Sequence, residues 1–455
     1  MKKYGKKILS AGICTALAFT ALTGCGNSGG SRNLMDDVKM GPDRTSAEID
    51  GGVNREADGQ ISQTGAGAAD SDGAAPALRT SDLPSADAVT YTDFAVRLFQ
   101  ECADSQAEGN VLVSPLSVIN ALAMTANGAR GETLAQMEEL FGTDVVSLCS
   151  YLYNYNKSLP TDKKYKLHVA NSIWVRDDEG FTVQPDFLQT NANWFNADVY
   201  MAPFDGSTLK DINKWVSKNT DEMIPEILDE IPEDAVMYLI NALAFDAEWE
   251  SVYRDYQIRD GFFTREDGTR QETEMMYSSE YTYLQDTQAQ GFVKYYHDAK
   301  YAFVALLPEE SVSLEDYVAS LTGERLHKLL SNPEKIDVKT AIPKFEAEYS
   351  VLLNDILENL GMKDAFDSEI ADFSGLGRSL DGNLYISRVI HKTYIAVNEK
   401  GTKAGAATVV EVQNKSAAME PDEIKTVYLD RPFVYMIIDC EENLPIFIGT
   451  MTDLK

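Results

Sequence analysis

Glu399-Lys-Gly-Thr-Lys-Ala-Gly-Ala-Ala-Thr-Val-Val-Glu411 is a strand pattern in an unusual place. Every second residue from Thr402 is small or apolar and uncharged: Thr402, Ala404, Ala406, Thr408, Val410 and Val412. The other set carries the charges of Lys403 and Glu411. Alternation of period two marks a strand with one buried face. Gly401 and Gly405 weaken that strand, since glycine brings backbone freedom and no side chain to pack. The run lies between two firmer strand patterns, Lys392–Val397 and Pro432–Ile438. A connection of about thirty residues inside one domain is either functional or disordered. The pattern therefore describes a segment that is exposed in one state and becomes a strand in another.

Working outward, the first half of the globular part is mainly helical and the middle switches to strands. Tyr91–Cys102 repeats apolar residues at three- and four-residue steps. Ser114 is placed as a helix N-cap with Pro115 at the first helical position, and Asn127-Gly128 stops that helix. A further helix over Thr133–Leu140 closes on Gly142, and one over Leu352–Leu360 closes on Gly361. Leu167–Val175, Val236–Phe245, Ala302–Leu307 and Phe345–Tyr349 have strand patterns. Two C-terminal strands, apolar on both faces and turned by Glu441–Pro445, belong in the core. Segregated helices and strands give an α+β class.

Several segments carry a resemblance. They are Asn110–Val118, Asn241–Trp249, Ile342–Phe345, Leu360–Met362 with Ala371–Ser374, His391-Lys392, Arg431–Phe433 and Pro445–Gly449. Together with Glu399-x-Gly-Thr-x-Ala-x-Ala-Ala-Thr408, and in this order, they resemble the serpins, a family of protease inhibitors. The resemblance implies one domain over residues 86–455, with three β-sheets, about eight or nine helices and an exposed reactive-centre loop. It makes Glu399, Gly401, Thr402, Ala404, Gly405, Ala406, Ala407 and Thr408 the hinge of that loop. Ser114, Ser117, Asn241 and His391 become the shutter, where the largest sheet opens, and Trp249 the breach, where insertion begins. The implied activity is suicide-substrate inhibition of a serine, or a cysteine, protease, not enzymatic turnover. The family's hinge-to-bond spacing, counted from Glu399, reaches Lys415-Ser416, and lysine there suits a trypsin-like enzyme. Asn414 and Met419 are the other positions for the cut. The chain departs from the family in a longer stretch from Lys415 to Pro432, and in Lys403 and Gly405, both on the outward-facing set. A non-inhibitory serpin acting as a surface binding lipoprotein is the alternative. The inward hinge positions, all small and uncharged, favour inhibition.

The N-terminus has an address. Met1–Lys7 is basic, Ile8–Leu22 is apolar, and Leu22-Thr-Gly-Cys25 resembles a bacterial lipoprotein box. Residues 1–24 are expected to be a signal peptide and Cys25 the lipidated residue. That would place the protein outside the cytoplasm, lipid-anchored to the bacterial membrane or surface. Residues 25–85, rich in Gly, Ser, Ala and Asp, have the composition of a flexible linker. The net charge of −32 disfavours nucleic acid and sulfated glycans, and suits a soluble, monomeric domain. Cys102, Cys149 and Cys440 have no metal-like spacing and suit small buried side chains. Neither His-Glu-x-x-His nor a phosphate-cradling loop is present, and no cofactor or metal is implied.

Overall fold

The alternating and wholly apolar segments become strands of three sheets. The computed structural model describes residues 30–38, 86–106, 109–159, 165–178, 180–195, 197–380, 383–402 and 424–454. Among them the main sheet has seven strands. Their spatial order is Arg32–Asn33, Asp198–Ala202, Tyr165–Arg176, Met237–Glu248, Gly401–Thr402, Arg388–Val397 and Phe345–Leu352. A six-stranded sheet contains the core strands Tyr301–Pro308, Phe433–Asp439 and Leu444–Met451, buried at every residue. Runs that are apolar on both faces suit this covered position. A four-stranded sheet joins Ile424–Tyr428, Asp337–Pro343, Arg270–Glu280 and Ile258–Thr264. The pair Gly377–Arg378 and Thr182–Val183 forms a small ribbon besides.

Nine α-helices pack around these sheets among the described residues. The Ser114 hydroxyl caps Pro115–Ala126 by accepting the Ser117 N–H, and every residue of that helix is buried. Gly131–Phe141 ends on Gly142 in the left-handed region at φ 72°. The helix expected from Leu352 begins at Asn354, because Leu352 still pairs with Ile390 in the main sheet. Gly206–Asn219, capped by Asp205, turns Ile212, Trp215 and Val216 onto the front of that sheet. There they meet Trp174, Tyr238 and Ile240.

Part of the stretch assigned to the linker is instead docked. Arg32–Asn33 pairs antiparallel with the edge strand Asp198–Ala202, and a 3-10 turn follows over Leu34–Asp37. The Ser31 N–H donates to the Asp211 carboxylate at 3.0 Å, and the Asn33 amide donates to Asp198 at 2.6 Å. Leu34 and Met35 pack against the core. The Gly-, Ser-, Ala- and Asp-rich composition of residues 25–85 hides this apolar pair, so the linker reading fails for Ser31–Val38. The register fixes where the segment enters. Tyr165 lies opposite Ala247 and Val175 opposite Met237. Ala202 lies beside Arg176, and Arg32 beside Met201. The chain thus joins the sheet at the end remote from Ala247.

Candidate functional site: the hinge and the seam it enters

At the opposite end the chain leaves Arg388–Val397 through a tight turn. The Asn398 N–H donates to the Gly401 carbonyl at 2.9 Å. The Asn398 side chain accepts the N–H groups of Lys400 and Gly401 at 2.9 and 3.3 Å. The turn sends Gly401 and Thr402 between two strands. Thr402 lies opposite Val397 on one side and Ala247 on the other, and Gly401 lies opposite Glu248. A Cβ on Gly401 would collide with the Ala247 carbonyl, so only glycine fits this approach. Thr402 is fully buried, its hydroxyl 2.5 Å from that of Tyr296.

Trp249 grips the turn from below. Its backbone N–H donates to Lys400 O and its indole N–H to Asn398 O, both at 2.8 Å. The indole stacks on Tyr296 at 4.4 Å and 8°. The Tyr253 N–H donates to Glu399 O at 3.0 Å. The Glu399 carboxylate lies 3.1 Å from Lys344, which also reaches Glu274 at 3.0 Å. Partial burial pushes the Glu399 carboxyl up, but its own backbone N–H and the Lys344 ammonium outweigh this and hold it low. Lys294 is buried beneath, 2.8 Å from Glu280 and over the rings of Tyr253 and Trp249 at 4.5 and 5.4 Å. Burial pulls that lysine down, and the adjoining carboxylate more than offsets it.

Beyond the hinge the two strands close on each other. Met237–Glu248 and Arg388–Val397 pair in parallel from Tyr238 opposite Arg388 to Ala244 opposite Tyr394. Within this seam His391 lies opposite Asn241, and Asn241 lies opposite Asn171 on the next strand. The His391 Nε2 accepts the Ser114 N–H at 3.1 Å, so the ring proton resides on Nδ1 and is donated to the Asn241 Oδ1 at 2.6 Å. The Asn241 amide donates to Asn171 Oδ1 at 2.8 Å. Complete burial pushes the His391 imidazole down to about 3, so it is neutral. The His391–Asn241 bond spans the seam between the two strands.

The family model described as "Serpin (serine protease inhibitor)" matches residues 89–454. The chain is a serpin. It is 31% identical over 372 residues to leukocyte elastase inhibitor A of Rattus norvegicus, covering 78% of this chain and 96% of that protein. An uncharacterized serpin-like protein of Thermococcus kodakarensis is 30% identical over 369 residues, covering 80% of this chain and 84% of that one. Among solved structures, tengpin, a thermophilic serpin, in its native state is 43% identical with a TM-score of 0.80. That match covers 93% of this chain and all of the other. Tengpin in its latent state is 46% identical with a TM-score of 0.72, covering 82% of this chain and 99% of the other.

In this serpin the expected site residues are distributed unevenly. Glu399, Gly401 and Thr402 lie at the mouth of the seam, where Trp249 bonds the intervening turn at Asn398 and Lys400. Asn241 and His391 lie within it. Ser114 reaches His391 only through its backbone, because its hydroxyl is engaged in capping. The Ser117 hydroxyl is buried and finds no partner among the described residues. Ala404, Gly405, Ala406, Ala407 and Thr408, the bond Lys415-Ser416 and Cys25 lie outside the described residues. Thr402 and Ile424 bracket the loop. Asn171, Tyr296 and Lys344 were not anticipated. Pairing the Leu167–Val175 and Val236–Phe245 patterns antiparallel would have brought Asn171 to Asn241. Tyr296 and Lys344 leave no comparable trace. Cys102, Cys149 and Cys440 are free and buried. Among the described residues no group of three or more His, Cys, Asp or Glu side chains could hold a metal ion.

Proposed function

We propose that this serpin traps trypsin-like serine proteases by letting its cleaved loop enter the main sheet. One observation carries the reading: Gly401 and Thr402 already form the first rung of an additional strand at the mouth of the seam. The target's serine attacks the carbonyl carbon of Lys415, and Ser416 departs with a free amine. The acyl-enzyme then hangs from a loop end that is no longer held at both sides. Thr402 leads Ala404, Ala406 and Thr408 inward, and each small side chain fits between the parting strands. The new backbone pairings were unavailable to the intact loop. Lysine at the cut matches the cation-binding specificity pocket of trypsin-like enzymes.

The test is to mix the protein with trypsin. A complex that survives boiling in detergent is expected, with a new N-terminus at Ser416 by mass spectrometry. Cleavage without complex formation across a broad protease panel would sink the inhibitory reading and favour a binding role. The same proposal places the protein outside the cytoplasm, held by lipid on Cys25, because Leu22-Thr-Gly-Cys25 follows an apolar run. Cys25→Ala should leave the precursor uncut and abolish radiolabelled palmitate incorporation. Unchanged labelling would discard the anchor.

A further inference from the structure

Resting on the lipid anchor just proposed, we infer that Ser31–Val38 mounts the domain on the membrane by the pole opposite its reactive loop. The partner such a posture fits is a protease arriving from solution, not one embedded in the same bilayer. Three observations carry this. First, the leash is short. Cys25 precedes Ser31 by six residues, and an extended chain gains at most about 3.6 Å per residue, so the lipid lies within ~20 Å of Ser31. Without docking, the leash would run on to the helix that begins at Ala86.

Second, the docking point is at the far end of the sheet. Arg32 pairs with Met201, beside the Val175–Arg176 end of the neighbouring strand, whereas the hinge enters at Ala247, opposite Tyr165. The twelve residues of Tyr165–Arg176 separate the two ends by ~40 Å at about 3.3 Å per residue. The mount is specific: a strand pair, the Ser31–Asp211 and Asn33–Asp198 bonds, and Leu34 and Met35 against the core.

Third, charge opposes lying down. A chain of net charge −32 is repelled by an anionic bilayer, and the repulsion acts within a Debye length of about 10 Å at moderate salt. The short leash keeps one pole near the surface, and repulsion lifts the remainder away.

The test uses the full lipidated protein in phosphatidylglycerol vesicles that carry an acceptor dye in the membrane. A donor dye is attached at Asp177→Cys, near the mounted pole, or at Ser279→Cys, near the loop. Both positions are exposed, and the three native cysteines of the domain are buried from the reagent. Trypsin-complex formation confirms that each variant is folded. Strong energy transfer is expected from position 177, and loss of most of it at position 279. A long Gly/Ser insertion between Cys25 and Gly30 should shrink the difference. Equal transfer from both sites, in protein that floats with the vesicles, would overturn the mount. Protein that neither floats nor carries lipid on Cys25 would overturn the anchor itself, and the posture with it.

Discussion

Gly401 has no room for a side chain. Gly401→Val would drive a Cβ into the Ala247 carbonyl and expel the hinge from the sheet. The buried Tyr296 hydroxyl would then lose Thr402, and a buried polar group without a partner costs about 1–3 kcal/mol. A destabilisation of that order should appear in denaturant unfolding. Faster hydrogen exchange of the Trp249 and Tyr253 backbone amides, which donate to this turn, should accompany it. Unchanged exchange at both amides would contradict the fit. His391 makes a prediction in pH. Its imidazole titrates near 6.5 in the unfolded chain and about 3 in the folded one. Between those values the unfolded chain takes up a proton that the native state refuses. The contribution to stability is therefore complete above pH 6.5 and is lost as pH falls toward 3, by up to ~1.4 kcal/mol per pH unit. Protonation would also destroy the Nε2 acceptor of the Ser114 N–H. In His391→Gln the loss of stability from pH 7 to pH 5 should be smaller than in the wild type. An identical loss would mean that other groups carry it.

The hinge and the seam act as elements, and Thr402→Arg tests them as such. Its guanidinium would have to enter the space now shared by Thr402 and Tyr296. An unpaired buried charge costs several kcal/mol even after relaxation. Each ~1.4 kcal/mol added to the insertion barrier slows insertion about tenfold, while deacylation is untouched. The variant should be cut at the wild-type bond yet behave as a substrate, with no detergent-stable complex. Lys403→Arg, on the outward-facing set, should remain an inhibitor. Complex formation by Thr402→Arg at unchanged stoichiometry would refute strand entry. These elements differ in how visible they are in the sequence. The strand periodicities found Met237–Glu248 and Arg388–Val397 to within a few residues at each end: the first is largely buried on both faces, and the second alternates buried with half-buried residues over most of its length. Val145–Ser158, Pro185–Phe195 and Gly206–Asn219 are amphipathic with many polar residues, and periodicity alone did not separate them from loop. Asp144 and Asp205, which cap two of them, were the available signals. Glu399, Gly401 and Thr402 stand out in the sequence because strand insertion, on the proposed mechanism, would require small residues at a fixed period. The contacts of Tyr296 and Lys344 with Thr402 and Glu399 do not, because they join residues far apart in the chain.

For the whole molecule the least legible feature was the docked N-terminal segment. Four residues, Arg32-Asn-Leu-Met35, do too little to a composition window to be seen, and only the partner surface of Asp198, Asp211 and the sheet edge gives them a place. Docking at the far pole has a consequence for clearance. In the proposed mechanism the captured enzyme rides the inserting strand down the sheet, from the Ala247 end toward the end where Arg32 is seated. A protease of about 220 residues is ~40 Å across. On the proposed anchor at Cys25, the leash beneath the domain would span no more than ~20 Å. The cargo is larger than the gap it is delivered into. A bilayer does not yield to a folded enzyme, so the loaded inhibitor cannot keep the stance of the empty one: either it tips onto its flank or Ser31–Val38 peels from the sheet edge and pays out more chain. Capture at this surface would thus carry a change of footprint with it, and a neighbour on the same membrane could tell an occupied trap from a vacant one by shape alone.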